Sequence, residues 1–420
     1  MQATPFDHIF RPVPRTGVIF VMAEAARAGF HYGHPEWANL GQGAPETGPI
    51  PGAPDRIESF SLEDATHEYT SVGGMPELRE AVAALYNARY RVGMPSQYTA
   101  ENVAISGGGR VALTRLAAAV GNAHLGHLLP DYTAYEELLD IFRAFVPIPI
   151  VLERDEGFTL PVDRLRKEIL GKGLSALLLS NPCNPTGATL RGGALRAWVD
   201  VCRELDCALI LDEFYGHYLY GDAARTDGPS LSAARYVEDV NRDPVVIIDG
   251  LSKNWRYPGW RVSWTVGPVD VIERVTSAGS FLDGGASHPV QRAALPLINQ
   301  ETADREARAI QACFGAKRRV VLDRVRSMGM TLAAPPNGSF YAFVCLADLP
   351  EPLRDGMAFF RRALEERVIV VPGEFFDVNP GQRRGHLPSR LKEFARISFG
   401  PSLESVTLGL DRMDSMIRSA

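Results

Sequence analysis

Between residues 100 and 270 the chain alternates short, almost wholly apolar runs with longer stretches whose apolar residues recur at helical spacing. The short runs are Val103 to Ser106, Ile148 to Leu152, Ser175 to Leu179, Ala208 to Leu211, Val245 to Ile248 and Arg261 to Val266. Runs of this length, bounded by turn residues, predict strands. Strands this apolar are normally buried on both faces. Helices are predicted at Glu77 to Tyr90, Val111 to Val120 and Leu190 to Leu205. The expected fold class is α/β, a mostly parallel central sheet flanked by helices, with chemistry in the loops at its carboxyl edge.

Past residue 286 the pattern changes. A long helical stretch, Pro289 to Met328, precedes short predicted strands at Phe340 to Cys345, Val368 to Val371 and Phe394 to Phe399. This predicts a smaller α+β domain. The helix-like segment Val18 to Ala28 and the Gly/Pro-rich run after it precede the first sheet elements and are expected to pack there. The expected division is a large domain over 49–295 and a small one from 1–48 and 296–420, with a long helix between them. A chain of 420 residues exceeds one ordinary core, and two lobes provide a cleft.

Composition narrows the class. With 45% apolar and 22% charged residues the sequence is that of a soluble globular protein. A formal net charge of -6 leaves no positive field for nucleic acid or an anionic membrane. Cys183, Cys202, Cys207, Cys313 and Cys345 lack CxxC spacing, which argues against a zinc site or a disulfide framework and fits a reducing cytoplasm. Asp7, His8, Arg11 and prolines interrupt the N-terminus where a secretory leader needs unbroken apolar residues. Apolar runs such as Ala208 to Leu211 fall far short of the roughly 20 residues of a membrane span. No metal is expected.

The most informative segment is Asp249 to Trp264, DGLSKNWRYPGWRVSW. Lys253 follows a strand, beside Gly250, Ser252 and Trp255, and shielding from water lowers an amine's pKa toward its nucleophilic form. An amine bonded to an aldehyde cofactor needs a phosphate clamp and a partner for a ring nitrogen. Asp212, at the end of the strand Ala208 to Leu211, can keep a pyridine nitrogen protonated. Tyr215 and Asn184 can each hydrogen-bond a phenolic oxygen. Gly108, Gly109 and Arg110 open a helix after a strand, a site for an anion on backbone N–H groups. Arg261 can fork onto phosphate oxygens, and Tyr132 can stack on a planar ring. These features point to pyridoxal 5'-phosphate held as a Schiff base on Lys253.

Taken together, NPCNPTG at Asn181 to Gly187, Asp212-Glu213-Phe214-Tyr215, and Ser252-Lys253 with Pro258-Gly259-Trp260-Arg261 resemble the fold-type I pyridoxal-phosphate enzymes of the class I and II aminotransferase family. The resemblance spans nearly the whole chain. It implies cofactor roles for Asn184, Asp212, Tyr215, Ser252, Lys253 and Arg261. It also implies that Tyr69 reaches the phosphate of a neighbouring subunit in a homodimer, that Arg396 grips a substrate α-carboxylate, and that Gly43 and the turn Gly338 to Tyr341 face the substrate. Catalysis is expected from Lys253, Asp212 and Tyr215, moving an amino group between an L-amino acid and a 2-oxo acid by a ping-pong route.

Two positions depart from the pattern. Gly250 stands where many relatives have a phosphate-binding serine. Arg110 fills a variable slot that in one aspartate-using subgroup holds a lysine for the distal carboxylate, which makes an acidic substrate a hypothesis. Two alternatives stay open at this stage. A carbon-sulfur lyase or cyclising synthase of the same fold would share this machinery. A nicotinamide oxidoreductase would use Gly107 to Ala112 as GxGxxA with Asp131 about 20 residues on, but leaves Lys253, Asp212 and Arg261 idle. Segments such as 16–37 and 280–290 are expected to shape the side-chain pocket; His31, His34 and His288 could line it but are read as exposed or structural.

Overall fold

The computed structural model describes residues 17–226 and 228–420. Residues 1–16, which carry the segment read for a leader and the start of the expected small domain, lie outside the described residues. Helix α1 (Gly17–Arg27) and strand β1 (Ala38–Asn39) come first, then α2 (Pro76–Tyr90), β2 (Val103–Ser106) and α3 (Gly109–Ala119). Alternation follows: β3 (His124–Leu129), α4 (Tyr135–Ile141), β4 (Val146–Val151), α5 (Val162–Lys172), β5 (Ala176–Ser180), α6 (Gly192–Glu204) and β6 (Ala208–Asp212). Next come α7 (Asp222–Thr226), β7 (Val245–Gly250), β8 (Ser263–Val266), α8 (Val269–Leu282), α9 (His288–Ala294) and α10 (Gln300–Ser327). The chain ends with β9 (Thr331–Leu332), β10 (Tyr341–Cys345), α11 (Gly356–Glu365), β11 (Val368–Ile369), β12 (Val371–Pro372), β13 (Phe394–Ser398) and α12 (Leu403–Arg418).

The central sheet has seven strands in the order β2-β8-β7-β6-β5-β3-β4, and only β8 runs against the rest. Every residue of β2, β5, β7 and β8 is buried, as their apolar sequences require. A second, antiparallel sheet, β12-β13-β10-β9, packs with α10 and α11, while α12 packs on those helices and on β1 and β11. Strand β1 pairs in parallel with β11, and α1 contacts β11 and β12, so the N-terminal segment joins this second layer.

Two local expectations are corrected. The stretch Pro289 to Met328 is not one helix: after α9 a 3-10 turn, Leu295–Leu297, leads to Asn299, whose side chain accepts from the Thr302 backbone N–H at 2.9 Å and starts α10. Pro296, having no backbone N–H, cannot continue the α9 hydrogen-bond ladder. The predicted strand Val368 to Val371 divides into β11 and β12, which pair with β1 and β13. Hydrophobicity marks such a segment as buried and extended but does not name its partner.

Candidate active site

The carboxyl ends of β3, β5, β6 and β7 face β10 and β13 of the second sheet across a cavity of about 490 Å³. Each strand end delivers a polar group: Tyr132 after β3, Ser180 and Asn184 after β5, Asp212 on β6, Lys253 after β7. Strand β13 contributes Arg396, and the turn after β1 contributes Gly43.

Lys253 Nζ donates to the carbonyl oxygen of Gly43. Burial pushes this amine down to about 7, helped by the cations Arg396, Arg261 and Arg110 and opposed by Asp212. At neutral pH a large fraction is therefore unprotonated. Gly43 must be glycine here, because a Cβ would lie 2.6 Å from the Tyr341 hydroxyl.

Asp212 is buried, and that burial raises its carboxyl to about 6. Its Oδ2 accepts from the Tyr135 hydroxyl at 3.2 Å and its Oδ1 from the Phe214 backbone N–H at 3.4 Å. Tyr135 was not singled out from sequence, although its place three residues after Tyr132, at the first turn of α4, puts both tyrosines beside the strand ends. A second buried acid, Asp131, is pushed up to about 8 by burial, with Asp212 adding in the same sense. It is bonded to Ser180 and to the Tyr132 backbone. Asp131 is 1% exposed and so is closed to a ribose, which removes the dinucleotide interpretation of Gly107 to Ala112.

Gly108 caps α3 with φ 98°, and a Cβ there would lie 2.1 Å from the Arg261 guanidinium. Cation and helix start thus share one corner of the cavity, suited to a phosphate. Arg261 itself has left-handed backbone, φ 54°, a costly conformation for a non-glycine residue, and its Nη1 lies 3.5 Å from Ser252 Oγ. Gly250 has no room for a serine, since a Cβ would stand 2.6 Å from Ser263 Cα and from the Val262 oxygen.

Arg396 is 1% exposed. Its Nη1 donates to Asn184 Oδ1 at 2.8 Å, its Nη2 donates to the Gly41 oxygen, and its plane lies over the Tyr341 ring at 4.3 Å. Its Nε is buried with no partner. Tyr215 and Tyr341 hydroxyls are 2.7 Å apart. Arg110 lines the cavity and donates to the Tyr132 hydroxyl at 3.4 Å.

Of the site residues expected from sequence, Gly108 and the turn residues Gly338, Ser339 and Phe340 lie outside the cavity lining, and Tyr69 lies away from it, 97% exposed. The segment 16–37 was expected to shape the side-chain pocket, but its wall residues Val18, Ile19 and Met22 of α1 and Tyr32 were not singled out, nor was Leu113. The His31 and His34 rings lie 4.9 Å apart at a tilt of 49°, and His288 Nδ1 lies 3.0 Å from the Glu68 oxygen.

The model of the family described as "Aminotransferase class I and II" matches residues 35–412. The chain belongs to the class I and II aminotransferases. It is a pyridoxal-phosphate-dependent transferase of nitrogenous groups. Among curated relatives, the aspartate aminotransferase of Streptomyces avermitilis is 29% identical over 383 residues, covering 87% of this chain and 86% of that protein. The aspartate/prephenate aminotransferase of Thermus thermophilus is 28% identical over 363 residues, 86% of each. The solved Thermus thermophilus aspartate aminotransferase with maleate superposes at a TM-score of 0.77 with 23% identity, over 99% of this chain and 100% of that one. An aminotransferase from Mycobacterium tuberculosis gives 0.78 at 24% identity over 100% of both. The cofactor of this aminotransferase fits the cavity by its chemistry: a shielded amine, a buried carboxyl, and a cation beside a helix start.

Proposed function

We propose that this aminotransferase moves the amino group of a dicarboxylic L-amino acid to a 2-oxo acid by a ping-pong route, in a homodimer, using Lys253 as its proton carrier. The observation that carries this is the shared cavity of Lys253 and Arg396: a lysine lowered to about 7 and a guanidinium with a free Nε, both reached through Gly43 and Asn184.

When bound, pyridoxal phosphate supplies an aldehyde carbon and an electron-withdrawing ring that stabilises charge at the substrate α-carbon. Arg396 binds the substrate α-carboxylate as a planar fork. Lys253 Nζ would take the α-proton as general base and hold it as general acid, roles for which a pKa near neutrality is best matched. Asp212, fixed by Tyr135, holds a proton on the ring nitrogen. Asn184 and Tyr215 orient the phenolic oxygen, Tyr132 covers a ring face, and Gly108, Gly109, Arg110, Ser252 and Arg261 hold the phosphate. The apolar wall Val18, Met22 and Leu113 excludes water.

Arg110 lines the same cavity as Arg396 and would meet a distal carboxylate there, a reading in line with the aspartate aminotransferases among its relatives. For the dimer, support comes from the segment bearing Phe60 (46% exposed), Leu62 (60%) and Tyr69 (97%). That apolar surface is fastened beside Arg261, since Arg56 donates to the Trp255 and Arg256 oxygens and Ile57 N–H donates to the Tyr257 hydroxyl. In a homodimer Tyr69 would reach the neighbour's phosphate. No helix among the described residues is long and apolar enough to cross a membrane. The five free thiols suit a reducing compartment such as the cytoplasm.

A panel of amino acids assayed with 2-oxoglutarate tests the substrate class, with glutamate assayed against oxaloacetate because its transfer to 2-oxoglutarate gives no net change; aspartate or glutamate should be the best donor. Supplying the donor without acceptor separates transfer from elimination. Formation of pyridoxamine phosphate supports transfer, and release of ammonia or thiol contradicts it.

A further inference from the structure

One buried carboxyl next to the cavity has no part in the chemistry above. Asp131 follows β3, and its Oδ1 accepts from the Tyr132 backbone N–H at 2.7 Å and is bonded to Ser180 Oγ. Its Oδ2 accepts from the Ser180 backbone N–H at 3.2 Å. Ser180 Oγ accepts in turn from the Asn184 backbone N–H at 3.1 Å, and Asn184 Oδ1 takes the 2.8 Å hydrogen bond from Arg396. A second route reaches the same guanidinium. The Asp131 backbone N–H donates to the Phe376 oxygen at 3.2 Å, and Arg396 lies over the Phe376 ring at 5.1 Å.

Ser180, Asn184, Tyr132 and Arg396 all line the cavity, and Asp131 touches or leads to each. In either protonation state its carboxyl spans Ser180 and the Tyr132 backbone. We infer that Asp131 is a positioning residue: through Ser180 and Asn184 it sets the orientation in which Arg396 meets a substrate carboxylate, and through the Tyr132 backbone it sets the plane of that ring. Burying an acid against Ser180, one contact from the Asn184 that meets Arg396, costs stability that ordinary packing would not require. The inference rests on Arg396 being the carboxylate grip.

The probe is maleate, an unreactive dicarboxylate, titrated calorimetrically into the cofactor-loaded protein beside measurements of KM, kcat and Tm. Asp131→Ala and Ser180→Ala should each weaken maleate and raise the donor KM about ten-fold. A ten-fold change corresponds to about 1.4 kcal/mol, the scale of one buried partner left unpaired. The fall in kcat should be smaller. The double variant should be little worse than the worse single one, since both cut the same chain of contacts. Should Asp131→Ala not fold, Asp131→Asn carries the test, with a loss of the same sign. Wild-type maleate affinity in correctly folded Asp131 variants, or strictly additive effects with Ser180→Ala, overturns the inference. Arg396→Lys is the reference: if it too binds maleate normally, the carboxylate role of Arg396 fails first, and that failure is distinct.

Discussion

Lys253 Nζ donates to the carbonyl oxygen of Gly43, 210 residues earlier in the chain. The bond ties the loop after β7 to the turn after β1, so the amine reports on both layers at once. Because burial sets its pKa at about 7, Lys253 should react with an added aldehyde in the cofactor-free protein with a rate that rises with pH and levels off just above 7. An ordinary lysine would go on rising past 10. Peptide-resolved labelling against pH measures this, and a midpoint near 10 at Lys253 contradicts it.

Asp212→Asn should lower kcat by roughly two to three orders of magnitude, the size expected for loss of a preorganised charge. Stability should move the other way in the cofactor-free protein. The Asp212 carboxyl is raised from 3.8 to about 6, so its burial favours the folded state only when protonated, and the ionised form above 6 costs stability. At pH 8 the asparagine variant should be the more stable, by at most about 3 kcal/mol for two units. The gap should close as pH falls through 6 toward 4. Chemical denaturation at pH 8 and pH 4.5 checks the sign.

Much of this site was legible in the sequence, for a definite reason. Asp212, Lys253 and Arg261 sit at fixed offsets from apolar runs whose lengths already mark strand ends, so chemistry and placement could be read together. The wall of Val18, Ile19 and Met22 could not, because α1 reaches the cavity only through the pairing of β1 with β11 across 330 residues of separation (Ala38 with Val368). Tyr135 was within reach and was missed: its role appears only once α4 turns it under β6 toward Asp212.

Arg110→Ala should cut kcat/KM for aspartate and glutamate by about ten-fold to a hundred-fold, the range of one charge-assisted hydrogen bond. Alanine or phenylalanine as donor should change little. Equal losses for acidic and apolar donors would place Arg110 on the phosphate alone and remove the basis for an acidic substrate.

If Tyr69 serves the neighbouring subunit, Tyr69→Ala and Lys253→Ala should each be inactive or nearly so alone and should recover activity when refolded together, since the mixed dimer carries one intact site. Equilibrium sedimentation establishes the dimer, and mixing without recovery contradicts a shared site.

The central claim is that a single ε-amino group carries the cofactor. Borohydride reduction of the loaded protein followed by peptide mass mapping tests it most directly. The account predicts one pyridoxyl phosphate adduct, on Lys253, with loss of the near-ultraviolet to visible absorbance and of activity; an adduct on another lysine, or none, would contradict it.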